Sequence, residues 1–64
     1  MNNEMQVDVF IKAAKTNDRK VIDYYLDSGF NINERDEYGF TAIIEAAEFG
    51  HEELFWDLIE RNAD

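Results

Sequence analysis

Few residues of this sequence combine the type and the spacing that chemistry needs. His51-Glu52-Glu53 opens like the His-Glu-x-x-His helix of zinc proteases, in which two histidines one turn apart hold the metal. The second histidine position is Phe55, however, and His51 is the single histidine of the chain. Cysteine is absent as well, so a protein-only zinc site lacks its ligands. Asn31-Ile32-Asn33-Glu34-Arg35-Asp36 alternates oxygen donors like a calcium loop, but its fifth position is Arg35, and Asp36 stands where such a loop needs glycine. Glu45 and Glu48 lie one helical turn apart and could be drawn as an acid/base pair. No nucleophile, cofactor motif or pocket-forming segment accompanies them, so they read as a solvated helix face. The sequence therefore predicts no catalytic residue, no cofactor and no metal, and it places His51 at a helix start, hydrogen-bonding locally.

Composition narrows the field further. A chain of 64 residues makes one small domain, in the range where the burial gained on folding is marginal. Fifteen acidic residues against six basic ones give a formal charge of −9, which opposes association with phosphate backbones and argues against a nucleic-acid partner. The simpler reading of this acidity is a solvated surface; the sharper one is complementarity to a basic protein surface, or mimicry of nucleic acid. No apolar run is long enough to span a bilayer, and the polar start Met-Asn-Asn-Glu-Met-Gln lacks the features of a signal peptide. With no cysteine to oxidise, a reducing, cytoplasmic location is the default expectation.

The elements that must position these residues follow from periodicity. Residues 1–6 form a polar lead, expected to fray at its start. Val7, Phe10, Ile11 and Ala14 then fall at i, i+3, i+4 and i+7, one face of a helix. Asp8 is placed to cap or open that helix and to pair with Lys12. Asn17 can end it in the left-handed conformation, and Asp18 can cap a second helix carrying Val21, Ile22, Tyr25 and Leu26 up to Gly29. Two helices joined so closely must form an antiparallel hairpin. From Phe30 to Phe40 the period is lost, which predicts an extended excursion and a turn at Tyr38-Gly39.

After the turn the pattern returns with a period of 33 residues. Ala46-Ala47 matches Ala13-Ala14 (46 − 33 = 13), Thr41 stands where Asp8 stood, and Leu54, Phe55, Leu58 and Ile59 match Val21, Ile22, Tyr25 and Leu26. Asn17 corresponds to Gly50 and Gly29 to Asn62, an exchange between the two residues that most readily take positive φ. The four alanines are expected where a first helix approaches its neighbours closely.

A 33-residue turn–helix–helix period is that of an ankyrin repeat. The chain resembles that family through Asp36, Gly39, Thr41, Ala46, Ala47, Gly50, His51, Glu53, Leu54, Leu58, Ile59, Ala63 and Asp64, all in one register. Residues 7–33 match mainly in their helices and look like an N-terminal capping repeat; residues 34–64 look like a second repeat, unfinished at its C-terminal end. The family's usual Thr-Pro-Leu-His is here Thr41-Ala42-Ile43-Ile44, without the proline that pre-sets the first turn or the histidine that ties neighbouring turns. The resemblance implies an all-α, helix-turn-helix repeat stack acting as a non-catalytic protein-interaction module. Its turn tips and exposed first-helix face implicate Glu37, Tyr38, Phe40, Glu45, Glu48 and Phe49 in binding a partner protein. The last helix carries Leu54, Phe55, Trp56, Leu58 and Ile59, more large apolar residues than one contact face needs. They point to contact with a further repeat of a longer array or to self-association. Two alternatives are a small acidic inhibitor or immunity-type protein that blocks a basic surface, and a structural homo-oligomer. Steep weakening by salt would mark the inhibitor.

Overall fold

The computed structural model describes residues 5–63. Among them are four helices and no β-strand: α1 (Val7–Thr16), α2 (Arg19–Asp27), α3 (Ala42–Glu48) and α4 (Glu52–Glu60). Residues 1–4, where the polar lead begins, and Asp64, the last position of the family pattern, lie outside the described residues.

The helix ends obey the 33-residue register closely. Asn17, Gly29, Gly50 and Asn62 all take positive φ, at 61°, 95°, 74° and 73°. Behind each, the next amide reaches back to a carbonyl of the helix just ended: Asp18 to Ala13 at 2.7 Å, Phe30 to Tyr25 at 3.0 Å, His51 to Ala46 at 2.9 Å and Ala63 to Leu58 at 3.0 Å. These bonds satisfy carbonyls that a helix terminus otherwise leaves without partners. The asparagine–glycine exchanges thus conserve a backbone geometry while changing the side chain.

The helix starts repeat less faithfully. The Asp18 carboxylate accepts from the Val21 amide at 3.5 Å and the Thr41 hydroxyl from the Ile44 amide at 3.3 Å, as N-caps do. Asp8 does not cap. The cap position is Gln6, whose carbonyl takes the Val9 and Phe10 amides, both at 3.2 Å, so α1 begins before Asp8 and holds it in its first turn. There the carboxylate accepts from Val9 at 3.1 Å and faces the positive end of the helix. The Asp8–Lys12 pair is not among the ion pairs of the described residues. The end of the polar lead is fastened: Met5 packs against the core, and the Gln6 amide donates to the Tyr25 hydroxyl at 3.3 Å.

Packing joins α1 to α2, α3 to α4, and α1 to α3, so the two hairpins stack through their first helices. Phe10, Ile11, Ala13, Ala14, Ile22 and Tyr25 from the first hairpin meet Ala42, Ile43, Ala46, Leu54 and Leu58 from the second in one core. Three of the four alanines are buried at the close approach. Ala47 is not; no described element covers it.

The connection between the hairpins is more folded than an extended excursion. Phe30 turns inward, its ring 4.9 Å from that of Phe10 and 5.1 Å from that of Tyr25. Asn31 then makes a turn, its side chain accepting from the Asn33 amide at 2.9 Å and its carbonyl from that of Glu34 at 3.1 Å. The predicted turn at Tyr38-Gly39 forms around Asp36, whose one carboxylate oxygen takes the amides of Tyr38 and Phe40, both at 2.9 Å. Arg35 closes the same loop by donating to the Gly39 carbonyl at 2.9 Å.

Candidate functional site

A groove of about 490 Å³ runs between α1, the Asp36–Phe40 turn and α3. The first helix supplies Asp8, Ile11, Lys12, Lys15 and Thr16; the turn supplies Asp36, Tyr38 and Phe40; the second hairpin supplies Glu45 and Phe49. Its walls are mostly apolar and its aromatic rings are available: Tyr38 is 76% exposed, and Phe40 and Phe49 are partly so. The Lys15 ammonium stands 5.4 Å from the centre of the Phe49 ring, a cation–π contact that joins the two hairpins at one end of the groove.

Of the six residues expected to bind a partner, Tyr38, Phe40, Glu45 and Phe49 line this groove. Glu37 borders a smaller adjoining hollow with Val7, Asp8, Asp36 and Tyr38, and Glu48 lines neither. Glu45 requires a correction, because it is 6% exposed and does not belong to a solvated face. Loss of hydration raises its carboxyl above the ordinary value of 4.5; Glu48 and Asp36 push the same way and Lys15 opposes them. The groove is also mixed in charge, two lysines facing three carboxylates, and is not the uniformly acidic surface that net charge suggests.

Sequence reasoning missed the wall built by α1. The register could have found it, since Lys12, Lys15 and Thr16 lie 33 residues before Glu45, Glu48 and Phe49. His51 also differs from expectation. Its ring Nε2 lies 2.7 Å from the Lys15 carbonyl, 36 residues away, so the ring donates to the open end of α1 and ties the two hairpins. It makes no side-chain cap on its own helix. Across the outer helices, Arg19 pairs with Asp57 and Arg61 with Asp23 at 3.1 Å, while Arg61 also reaches Asp57 of its own helix at 3.8 Å.

The last helix divides. Leu54 and Leu58 are core residues, which removes them from the expected contact surface. Phe55 packs partly on the core with its ring nearly perpendicular to that of Trp56, while Trp56, at 62%, and Ile59 are exposed. Each turn of α4 presents one side to its own hairpin and another outward, and an apolar run cannot say which is which.

Among the described residues, no group of three or more histidines, cysteines or acids could hold a metal, and no helix is long and apolar enough to cross a membrane. The family model for ankyrin repeats (many copies) matches residues 10–59. Over 52 residues the chain is 40% identical to the ankyrin repeat-containing protein P1E11.10 of Schizosaccharomyces pombe, covering 81% of this chain and 25% of that protein. It is 34% identical over 61 residues to the mouse (Mus musculus) ankyrin repeat, SAM and basic leucine zipper domain-containing protein 1, covering 95% of this chain and 13% of that one. The elephant (Loxodonta africana) protein of the same name gives 33% over the same coverage. The chain therefore spans a quarter or less of the length of these relatives. No solved structure gives a match. Ankyrin repeats are in general protein–protein interaction modules, and with a family model covering most of its length, four helices in two stacked hairpins and a strict 33-residue register, this chain belongs to the ankyrin repeat family.

Proposed function

We propose that the chain is a non-catalytic protein-binding module that holds its partner in the groove between α1, the aromatic turn and α3. The observation that carries this reading is the pair of aromatic residues, Tyr38 and Phe40, whose backbone amides Asp36 holds at the mouth of a largely apolar groove. An aromatic side chain on a fixed backbone has only two side-chain torsions to lose on binding, so it offers a large contact area at low conformational cost. Replacing both rings, Tyr38→Ala with Phe40→Ala, is expected to weaken partner capture at least tenfold, about 1.4 kcal/mol or more, while the far-ultraviolet circular dichroism stays unchanged. Capture at wild-type strength by this double variant would show that the groove is not the binding surface.

A second contact surface is favoured by the outward side of the second hairpin. Ala47, Phe55 and Trp56 line a hollow of about 250 Å³ there, and Ile44 and Ile59 are exposed on the same two helices. Stacked repeats bury such faces against a neighbour. This face is suited to a further repeat or a second copy, and its test is whether association protects Trp56, the sole tryptophan of the chain.

A further inference from the structure

We infer that the outward face of the second hairpin receives the outward face of the first hairpin of a second copy, stacking head to tail with Glu48 opposite Lys12. The inference rests on the second reading above and names its occupant. The interface already present inside the chain supplies the template. There, Ile11, Ala14 and Ile22 of the first hairpin share one core with Ala42 and Leu54 of the second, and Lys15 and Glu45 line the same groove between the hairpins.

Advancing the first set by 33 residues and moving the second back by 33 gives the two faces that no described element covers. Ile44, Ala47 and Phe55 take the places of Ile11, Ala14 and Ile22; Val9 and Val21 take those of Ala42 and Leu54. Both new sets are apolar, and both are available: Val9 is exposed, Val21 is half-buried, and the two border a hollow of about 280 Å³ on the first hairpin. The charges also match, with their signs reversed. Where the internal groove brings together Lys15 and Glu45, the external junction would bring together Glu48 and Lys12. The internal Arg19–Asp57 pair becomes Glu52 facing Tyr24, a carboxylate and a phenol hydroxyl that can hydrogen-bond.

Other elements of the internal interface are lost in this translation. His51 is replaced by Asp18, whose side chain has no proton to donate and already caps α2, and the Asp23–Arg61 pair becomes Trp56 and Ser28. The contact between copies is consequently weaker than the contact within one. It is also heterologous, joining two different faces, so it adds copies in line and does not close at a dimer.

The test is the mass of the full 64-residue chain by light scattering over a hundredfold concentration range at low ionic strength. Wild type is expected to grow past the dimer without a plateau. Lys12→Glu and Glu48→Lys, both exposed substitutions, should each weaken association roughly fivefold to tenfold while leaving the circular dichroism unchanged. An equimolar mixture of the two variants should recover association, because each junction in it again pairs a lysine with a glutamate. A chain that stays monomeric, with Trp56 emission independent of concentration, would overturn the inference by removing the second copy as occupant, and of the reading beneath it only the further repeat would stand. A dimer that plateaus and ignores Lys12→Glu, or a mixture that fails to recover, would overturn the head-to-tail arrangement alone.

Discussion

Ile11 and Ile44 occupy the same place in the two repeats, yet Ile11 is 3% exposed and Ile44 is 39% exposed. Ala14 and Ala47 differ in the same sense, as do Ile22 and Phe55. On the opposite side the order inverts: Ala42 and Leu54 are buried, while their first-repeat counterparts Val9 and Val21 are not. Residue type and helical position are nearly constant across these pairs. What changes is whether a neighbouring layer lies on that side, so burial in this fold is a property of the stack as much as of the hairpin.

The most severe way to break this comparison is truncation at the matched isoleucines. Ile11→Ala should cost about 2–5 kcal/mol, since it opens a cavity between hairpins, and Ile44→Ala less than about 1 kcal/mol. Urea unfolding of both variants in dilute solution measures the difference; equal costs would show that the second layer is buried too. Overpacking gives the next largest contrast. Ala14→Leu and Ala46→Leu should each destabilise by about 1–3 kcal/mol, while Ala47→Leu should be nearly neutral because its side chain has no layer to collide with. An unchanged melting temperature for Ala46→Leu would remove the packing role of the alanines.

A smaller effect is expected at the polar tie between layers. His51→Ala deletes the hydrogen bond to the Lys15 carbonyl and should cost about 0.5–1.5 kcal/mol by the same unfolding measurement. No loss would mean that water serves that carbonyl equally well. Glu45 sharpens the comparison from another direction, because its counterpart Lys12 is exposed and it is not. Its carboxyl sits above the ordinary value, so the folded chain holds that proton more tightly than the unfolded one. The favourable contribution is therefore present below the usual carboxylate range and is lost as pH rises through the raised value. Glu45→Gln should accordingly melt higher than wild type near neutral pH, the gap closing below about pH 4. A gap of the same size at both pH values would assign the effect to shape instead of charge.

These contrasts also explain what could be read in advance. The helix ends at Asn17, Gly29, Gly50 and Asn62, and the caps at Asp18 and Thr41, were legible because each is decided within a few residues of chain. The aromatic turn was legible for the same reason, Asp36 and Gly39 being local determinants. Glu45 was misplaced because its burial comes from the layer beside it, and the His51 partner was missed because it lies in the other repeat. Leu54 and Leu58 could not be separated from Phe55 and Ile59 by periodicity, which marks an apolar helix without saying which of two neighbours each side meets. The α1 wall of the groove was recoverable, since the register that matched the alanines also maps Glu45 and Phe49 onto Lys12 and Thr16.

The most direct measurement for the closed and open sides of this stack is acrylamide quenching of the one tryptophan, at the lowest concentration where circular dichroism shows a folded chain. Trp56 lies on the open side, and its counterpart Asp23 is held in the interface by Arg61. The account predicts substantial quenching, below that of a fully hydrated indole because Phe55 covers part of the ring, and falling further as concentration rises and the open face is covered. Strong protection already present in the dilute, folded monomer would contradict it, because α4 would then bury the surface that the two-layer stack leaves free.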